Sequence, residues 1–357
     1  MSKTESSTPP RSEPKLTDLA RHVVYPKGIV STAWPRVVAQ CAAMGVKFDE
    51  WQHGIGTVAL GKSKDGKYAA TIGGVVLSIP RQVGKTFLVG MIIIALCILN
   101  PKMTVLWTAH RTKTATKTFQ TMQGMVRKKK IRGHLAPGRN DGIRTANGEQ
   151  EIRFRNGSVI MFGAREGGFG RGFDEVDVEV FDEAQILGEK ALEDMVAATN
   201  QSRQPAGALL FFMGTPPRPT DPGEEWLGRR SEALEVKPLD QVVGLSDDMV
   251  YVEFSADKDA DPDDRAQWAK ANPSFPHRTP LESMLRMRKQ LKNEDSFKRE
   301  ALGIYDALDS GQVIDDDSWS DVADPASMPV DRLTLAIDVS PDRRVAAVSL
   351  AGQRADG

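Results

Sequence analysis

The chain has 357 residues, of which 40% are hydrophobic and 27% are charged, and this is the composition of a globular protein with room for two domains. Its only cysteines, Cys41 and Cys97, have no Cys or His at metal-ligand spacing, which excludes a disulfide framework and a zinc site and favours a reducing compartment. The longest apolar run, 87–99, is too short to span a membrane, and a net charge of −1 means that any contact with nucleic acid must come from a local basic patch.

The predicted elements alternate between helices and strands after a Ser/Thr/Pro-rich tail. Residues 1–14 have no apolar core, so we expect a disordered tail rather than a signal peptide. Periodicity and turn signals then predict a helical segment over 31–60, a strand over 75–79, a helix from 84 to 100, a strand over 103–108, a polar helix over 111–129, a hairpin with strands 151–155 and 158–162, a strand over 176–181, a helix over 188–200 and a strand over 208–213. This alternation predicts an α/β fold with a mostly parallel sheet flanked by helices.

The first of these strands is followed by a sequence that predicts a phosphate-binding loop. Gly84 lets the backbone N–H groups curl round a β-phosphate, Lys85 can reach the β- and γ-phosphate oxygens, and the Thr86 hydroxyl can bind Mg²⁺. Ile79 stands where the usual pattern has its first glycine. This segment alone is therefore also compatible with an ordinary turn between a strand and a helix.

Two later strands end in residues that complete such a site. The strand over 176–181 runs into Asp182 and Glu183, in which Asp182 would hold Mg²⁺ and Glu183 would orient the attacking water. The strand over 208–213 runs into Gly214 and Thr215, whose hydroxyl can sense a γ-phosphate. Acidic pairs often only cap helices and Gly-Thr-Pro often only forms a turn, but the three motifs in this order predict a P-loop NTPase that binds ATP with Mg²⁺.

The order of the strands indicates a particular type of P-loop NTPase. An extra strand lies between the loop strand and the acidic-pair strand in the sequence, and the glutamate sits beside the aspartate. These features indicate the additional-strand, catalytic-glutamate type, to which helicases and translocases belong.

Beyond residue 218 the composition changes. An acidic stretch at 257–264 and a basic helical segment at 281–299 predict a lid or linker subdomain. Two further strands are predicted at 333–340, which carries Asp338, and at 344–350.

Taken together, these residues closely resemble the large terminase subunit of tailed bacteriophages, the motor that packages DNA. The loop 80–86 is similar to the terminase form, in which an Arg-Gln pair, here Arg81 and Gln82, replaces the glycine-rich start. The acidic pair at 182–183 and Gly-Thr-Pro at 214–216 look like the family's acidic pair and coupling motif. Ala-Asn-Pro at 271–273 and the linker 297–319 are also similar, and the resemblance covers about 45–350.

The resemblance implies roles for further residues. Arg81 would contact phosphate in cis, although it could simply pair with a nearby acid, and Gln52 would read adenine, although it could be an exposed helix residue beside an anchoring Trp51. Arg171, in a Gly-rich loop, resembles the arginine finger that reaches the ATP of a neighbouring subunit; a solvent-facing role is the alternative, and Arg165 is a rival. The predicted catalytic residues are Glu183, Arg81, Arg171 and Thr215, and the predicted nucleotide contacts are Gln52, Arg81, Gln82, Gly84, Lys85, Thr86 and Asp182.

The resemblance also implies a second, RNase H-like nuclease domain that uses a cluster of acids with Mg²⁺ or Mn²⁺. Asp338 matches its first acid, and the other acids would lie beyond Gly357, so we expect the nuclease domain to be incomplete and inactive here. The predicted division is a tail over 1–30, the ATPase domain over 31–235, a lid or linker subdomain over 236–328 and the first hairpin of the nuclease domain over 329–357.

The implied partners are double-stranded viral DNA, the portal protein, the small terminase subunit and further copies of the chain in a ring on the procapsid. The resemblance places the chain in the host cytoplasm during phage assembly, away from membranes and absent from the mature virion. The basic run 127–132 could bind DNA phosphates, but such runs are usually solvated faces, and we favour that interpretation.

Two other classes of protein compete with this interpretation. A helicase-like or other DNA translocase ATPase would share the nucleotide motifs, but should carry nucleic-acid motifs in a second ATPase-like domain. The segment after 330 instead predicts a hairpin with one acid. An assembly protein with a degenerate nucleotide site would not be expected to keep Lys85, Thr86, Asp182 and Glu183.

Overall fold

The strands and helices follow the predicted alternation over most of the chain. The computed structural model describes residues 14–138, 140–146, 148–170, 172–238, 241–306, 324, 327–339 and 346–354. In these ranges the strands are β1 His22–Pro26, β2 Ser31–Thr32, β3 Gly61–Lys62, β4 Gly74–Ser78, β5 Thr104–Ala109, β6 Ile143–Arg144, β7 Gln150–Arg153, β8 Val159–Ala164, β9 Val178–Asp182, β10 Leu209–Gly214, β11 Val243–Ser246, β12 Met249–Glu253, β13 Asp331–Val339 and β14 Ala346–Gln353.

The helices in the same ranges are α1 Leu16–Leu19, α2 Trp34–Ala43, α3 Glu50–Ala59, α4 Lys85–Leu99, α5 Thr112–Val126, α6 Lys129–Arg132, α7 Glu189–Val196, α8 Glu224–Glu235, α9 Arg265–Ala271, α10 Leu281–Gln290 and α11 Glu294–Leu302. Short 3₁₀ turns occupy Arg165–Gly167, Ala184–Ile186 and Ala197–Gln201. None of the described helices is long and apolar enough to cross a membrane.

The central sheet belongs to the first of two compact units, 1–306 and 307–357. Among the described residues it has ten strands in the order β11-β1-β12-β4-β10-β9-β5-β8-β7-β6. The strands from β12 to β8 run parallel to one another. The predicted α/β class, with a mostly parallel sheet between helices, is confirmed.

Burial on both faces explains why the central strands are continuous apolar runs. Every residue of β4 and β10 is buried, as expected of parallel strands covered by helices on each side. Helix α4 follows β4 directly, and ten of its 15 residues are buried, so it is apolar on all sides rather than on one stripe. Together they form the buried scaffold from which the loop at 79–84 projects.

The order of strands in space differs from their order in the sequence. Strands β5 and β8, which come between β4 and β9 along the chain, pair on the far side of β9. The strand that separates β4 from β9 in the sheet is β10. This insertion is the arrangement that the additional-strand, catalytic-glutamate type requires.

The segment predicted as a lid or linker also supplies part of the central sheet. Strand β12 pairs in parallel with β4, and β11 pairs with β1, so the predicted boundary at 235/236 lies inside the first unit. The apolar run Met249–Glu253 was not recognised as a strand. Helices α9, α10 and α11 pack round a separate small core that includes Trp268, Phe297 and Leu302.

In the second unit, the described residues form the predicted hairpin of β13 and β14. The two strands are antiparallel, and Asp338 lies opposite Ala347. Leu333, Leu335 and Ile337 alternate with polar or small residues and are exposed. The residues between the strands, 340–345, and most of 307–330 lie outside the described ranges.

Candidate nucleotide site

The carboxyl ends of β4, β9 and β10 meet at one edge of the sheet and surround a cavity of about 350 Å³. Residues from all three predicted motifs line it: Arg81, Gln82, Lys85, Thr86, Asp182, Glu183 and Thr215. Parallel strands place their carboxyl ends at the same edge, so segments that are far apart in the sequence contribute to one pocket. The predicted convergence of the three motifs is therefore present.

The loop between β4 and α4 has the backbone geometry of an anion-binding turn. Gln82 and Gly84 both adopt positive φ, 61° and 117° respectively, and Gly84 is the N-cap of α4. Alternating backbone conformations of this kind turn successive N–H groups towards one point, and the helix N-terminus adds a favourable dipole. Ile79, which replaces the usual first glycine, is fully buried and belongs to the main hydrophobic core.

Lys85 lies across this loop. Its ammonium group donates to the carbonyl oxygens of Ile79 and Pro80, the latter at 3.0 Å. Burial, with a smaller contribution from nearby Arg81, lowers the pKa of Lys85 to about 7, although the charges of Asp182 and Glu300 oppose the shift. Both of these hydrogen-bond partners are neutral carbonyls, so a phosphate bound in the loop would give the ammonium group a negatively charged partner.

Asp182 and Thr86 are the predicted ligands of a magnesium ion, and both line the cavity. The Asp182 carboxylate accepts hydrogen bonds from the Thr118 hydroxyl at 3.2 Å and from the Glu183 amide at 3.1 Å. Burial raises the pKa of Asp182, with Lys85 opposing the shift. In the described part of the chain no cluster of three or more His, Cys, Asp or Glu could hold a metal, so a cation here would need phosphate oxygens and water as further ligands.

Glu183 has a strained backbone. It adopts the left-handed conformation, with φ 54° and ψ 48°, directly after the end of β9. The guanidinium of Arg165 donates to the main-chain oxygens of Asp182 and Glu183, at 2.9 and 3.2 Å. Arg165 is only 7% exposed, so the structure does not support it as a finger towards a neighbouring subunit. Arg171, the predicted finger, lies outside the described residues.

Thr215 follows β10 and is buried at the cavity wall. The preceding Gly214 has no room for a side chain, because a Cβ there would lie 2.7 Å from Oε1 of Gln185 and 2.9 Å from the Trp226 ring. Gln185 was missed at the sequence level. It is 4% exposed, it lines the cavity, and its carboxamide oxygen has no hydrogen-bond partner in the part of the chain that the structure describes. Its position two residues after Glu183 was the available signal.

Arg81 adopts the alternative that the sequence left open, a pair with a nearby acid. Its guanidinium forms an ion pair with Glu300 of α11, and its amide donates to the Glu300 carbonyl at 3.0 Å. Arg218, after the Gly-Thr-Pro motif, reaches the same carboxylate at 3.1 Å. Arg81 also lines the cavity, and its side chain is 47% exposed. Its predicted contact with phosphate stays a prediction.

Gln52 lies beside the loop, on α3. It is buried at 2% exposure, which differs from the exposed alternative, and its Oε1 accepts from the Asp49 amide at 2.9 Å. A Cβ added at Gly84 would lie 3.9 Å from Nε2 of Gln52 and 3.9 Å from the Trp51 ring. The role of Gln52 in reading adenine stays a prediction.

Two further predicted sites belong to other elements of the chain. Asp338 is exposed on β13 of the second unit. Of the basic run 127–132, Arg127, Lys129 and Arg132 line a separate cleft of about 420 Å³, where Arg132 is paired with Asp141.

Comparison with known proteins agrees with the fold described here. No protein-family model and no curated protein matches the chain. Among solved structures, the HK97 bacteriophage large terminase is similar with a TM-score of 0.62 and 18% identity, over 91% of this chain and 66% of that one. The Thermus phage P74-26 large terminase ATPase domain has a TM-score of 0.46 and 12% identity, over 74% and 97% of the two chains.

A large terminase from a thermophilic bacteriophage, solved in complex with ADP, has a TM-score of 0.43 and 16% identity, over 65% of this chain and 48% of that one. These last two scores are too low to add to the argument. The chain spans slightly less than two thirds of the HK97 protein, and at this identity the match shows a shared fold. The predicted structural resemblance to a phage large terminase is thereby confirmed.

Proposed function

We propose that this chain is the large subunit of a phage terminase, and that it hydrolyses ATP to move double-stranded DNA into a procapsid. The observation that carries the proposal is the convergence of Lys85, Thr86, Asp182 and Glu183 on one cavity, at the carboxyl ends of strands separated by β10. The fold shared with the HK97 large terminase supports it.

Each residue has a distinct task in ATP hydrolysis. The loop amides around Gly84 and the Lys85 ammonium bind the β- and γ-phosphates, and Gln52 reads adenine. Mg²⁺, held by Thr86 and Asp182, would neutralise phosphate charge. The Glu183 carboxylate orients a water for attack on the γ-phosphorus, and ADP leaves as the bond to the bridging oxygen breaks.

Two arginines and a threonine are proposed to respond to the γ-phosphate. Arg81 exchanges its Glu300 partner for a phosphate oxygen, and Thr215 senses the phosphate at the tip of β10. Because Glu300 lies on α11, release of Arg81 would transmit the state of the nucleotide to the helices of the predicted lid. Arg171 of a neighbouring copy in a ring completes the site.

The proposed partners are double-stranded viral DNA, the portal protein, the small terminase subunit and further copies of this chain. The proposed location is the host cytoplasm during phage assembly. A nuclease site that includes Asp338 would need Mg²⁺ or Mn²⁺ and further carboxylates, so we do not propose nuclease activity from this residue alone.

Paired variants test the ATPase assignment. We expect Lys85→Ala to lose nucleotide binding, because Lys85 contacts the phosphates in the ground state, and Glu183→Gln to bind ATP without hydrolysing it. Binding is measured with a fluorescent ATP analogue and turnover by phosphate release. Wild-type turnover in Glu183→Gln would contradict the assignment.

A DNA assay separates the packaging motor from a helicase-like ATPase. A duplex translocase should displace a triplex-forming strand from blunt duplex DNA in the presence of ATP without separating the duplex. Release of one strand from a forked duplex would favour the helicase-like alternative.

A further inference from the structure

We infer that Arg165 is a positioning residue for ATP hydrolysis, which holds the backbone of Glu183 so that its carboxylate points at the attacking water. The inference rests on the proposed ATPase function. It assigns to Arg165 a task within its own subunit, in place of the finger role considered from the sequence.

The contacts of Arg165 form a brace between the ends of two strands. One terminal nitrogen donates to the main-chain oxygens of Asp182 and Glu183, at 2.9 and 3.2 Å, and the other donates to the Thr108 hydroxyl at 3.1 Å. That hydroxyl donates in turn to the Val180 oxygen at 3.1 Å. Arg165 therefore links the end of β5 to the end of β9.

These contacts act on the dihedral angles that aim the Glu183 side chain. The peptide planes before and after the Glu183 Cα carry the two carbonyl groups that Arg165 binds. When both planes are held, φ and ψ of Glu183 are set, and so is the direction of its Cα–Cβ bond. The restraint is needed because Glu183 is in the left-handed conformation, which is unfavourable for a residue with a side chain.

The chemistry of the Arg165 side chain also indicates a role beyond filling space in the core. Burying a guanidinium group is costly, and the acceptors that the structure gives Arg165 are one hydroxyl and two carbonyls rather than a carboxylate. Burial lowers the pKa of Arg165 to about 10, so it remains a cation at neutral pH, and the charges of Asp182 and Glu183 oppose the shift. Its planar fork places one nitrogen at the two carbonyls and the other at the Thr108 hydroxyl, which a lysine with its single nitrogen cannot reproduce.

Arg165→Lys keeps the charge but loses the fork, and Thr108→Val removes one anchor of the guanidinium while keeping the side-chain shape. We expect Arg165→Lys to lower kcat by roughly 10- to 100-fold, since small misplacements of a reacting group cost that much, and to change the dissociation constant for the ATP analogue by less than about threefold. Thr108→Val should lower kcat by a smaller factor, and it should also change the dissociation constant for the ATP analogue by less than about threefold. Arg229→Lys is a matched control. Arg229 also donates to a main-chain carbonyl, that of Gly73 at 3.1 Å, but this carbonyl lies next to the amino end of β4, whereas the cavity lies at the carboxyl ends of the strands. Arg229→Lys should leave kcat unchanged.

The decisive test is a double-variant cycle in single-turnover experiments at high protein concentration. If Arg165 acts through Glu183, adding Arg165→Lys to Glu183→Asp, whose shorter side chain already displaces the carboxylate, should lower hydrolysis much less than Arg165→Lys does in the wild type. Multiplicative losses, equal losses of binding and kcat, or wild-type kcat in both Arg165→Lys and Thr108→Val would overturn the inference. A wild-type chain without ATPase activity would instead refute the proposed function itself.

Discussion

A buried glutamate in the central sheet provides a quantitative prediction about stability. Glu179 of β9 is fully buried, and neither of its carboxylate oxygens has a hydrogen-bond partner among the described residues. Its neighbours on the adjacent strands are Leu106 and Leu210, both buried. This desolvation raises the pKa of Glu179 from 4.5 to about 8.

The sign and size of the effect follow from the two pKa values. In the unfolded chain Glu179 ionises near pH 4.5, whereas in the folded protein it keeps its proton until about pH 8. Folding therefore becomes less favourable as the pH rises between these values, by about 1.4 kcal/mol for each pH unit. Above pH 8 the accumulated penalty is about 5 kcal/mol, and below pH 4.5 this group contributes none.

Glu179→Met should remove this penalty, because methionine has a similar length and no charge. The difference in free energy of unfolding between the variant and the wild type should grow in favour of the variant by about 2 to 3 kcal/mol between roughly pH 5.5 and 7.5. Urea denaturation of both proteins at each pH measures it. Glu179→Gln should show the same pH dependence with a smaller absolute gain, since its amide stays buried without partners.

Glu193→Gln serves as the control, because Glu193 is exposed on α7. It should leave the pH dependence of unfolding unchanged. A difference between Glu179→Met and the wild type that stays constant over this pH range would refute the reasoning, because it would mean that Glu179 ionises at an ordinary pKa in the folded protein.

Three further predictions concern the site residues. Lys85 must be charged to bind phosphate, so with a pKa of about 7 in the free protein the dissociation constant for the ATP analogue should rise by up to about tenfold per pH unit above pH 7, and Lys85→Arg, which stays charged, should lose that dependence even if it binds more weakly. If Arg171 completes a neighbour's site, hydrolysis should rise more steeply than linearly with protein concentration, and mixing Arg171→Ala with Glu183→Gln subunits should restore activity; no rescue at any ratio would argue against a role in trans. Asp338 lies opposite Ala347 in its hairpin, and in the described ranges no cluster of three or more His, Cys, Asp or Glu could hold a metal ion, so this chain should not cleave plasmid DNA with Mn²⁺; cleavage that Asp338→Ala abolishes would show the opposite.

Short stretches of sequence were sufficient to predict the strand and the helix on either side of the phosphate-binding loop, and the hairpin turn. The strand β4, the helix α4 and the hairpin turn at Asn156-Gly157 each depend on a few consecutive residues, whose apolar run or turn chemistry is the same whatever surrounds them. Because the carboxyl ends of parallel strands share an edge, the convergence of Lys85 with the acidic pair could also be deduced before the structure was known.

The tertiary structure alone decided which distant segments lie beside the site. The place of β10 between β4 and β9, the pairing of β12 with β4 and the contact of Glu300 with Arg81 join residues far apart in the chain. A short apolar run has the same pattern at any position in a buried sheet, so its neighbours depend on how all the elements pack. Arg165 is the clearest case: from the sequence it was only a rival candidate for the arginine finger, and the packing of β5 against β9 placed its guanidinium beside the backbone of Glu183.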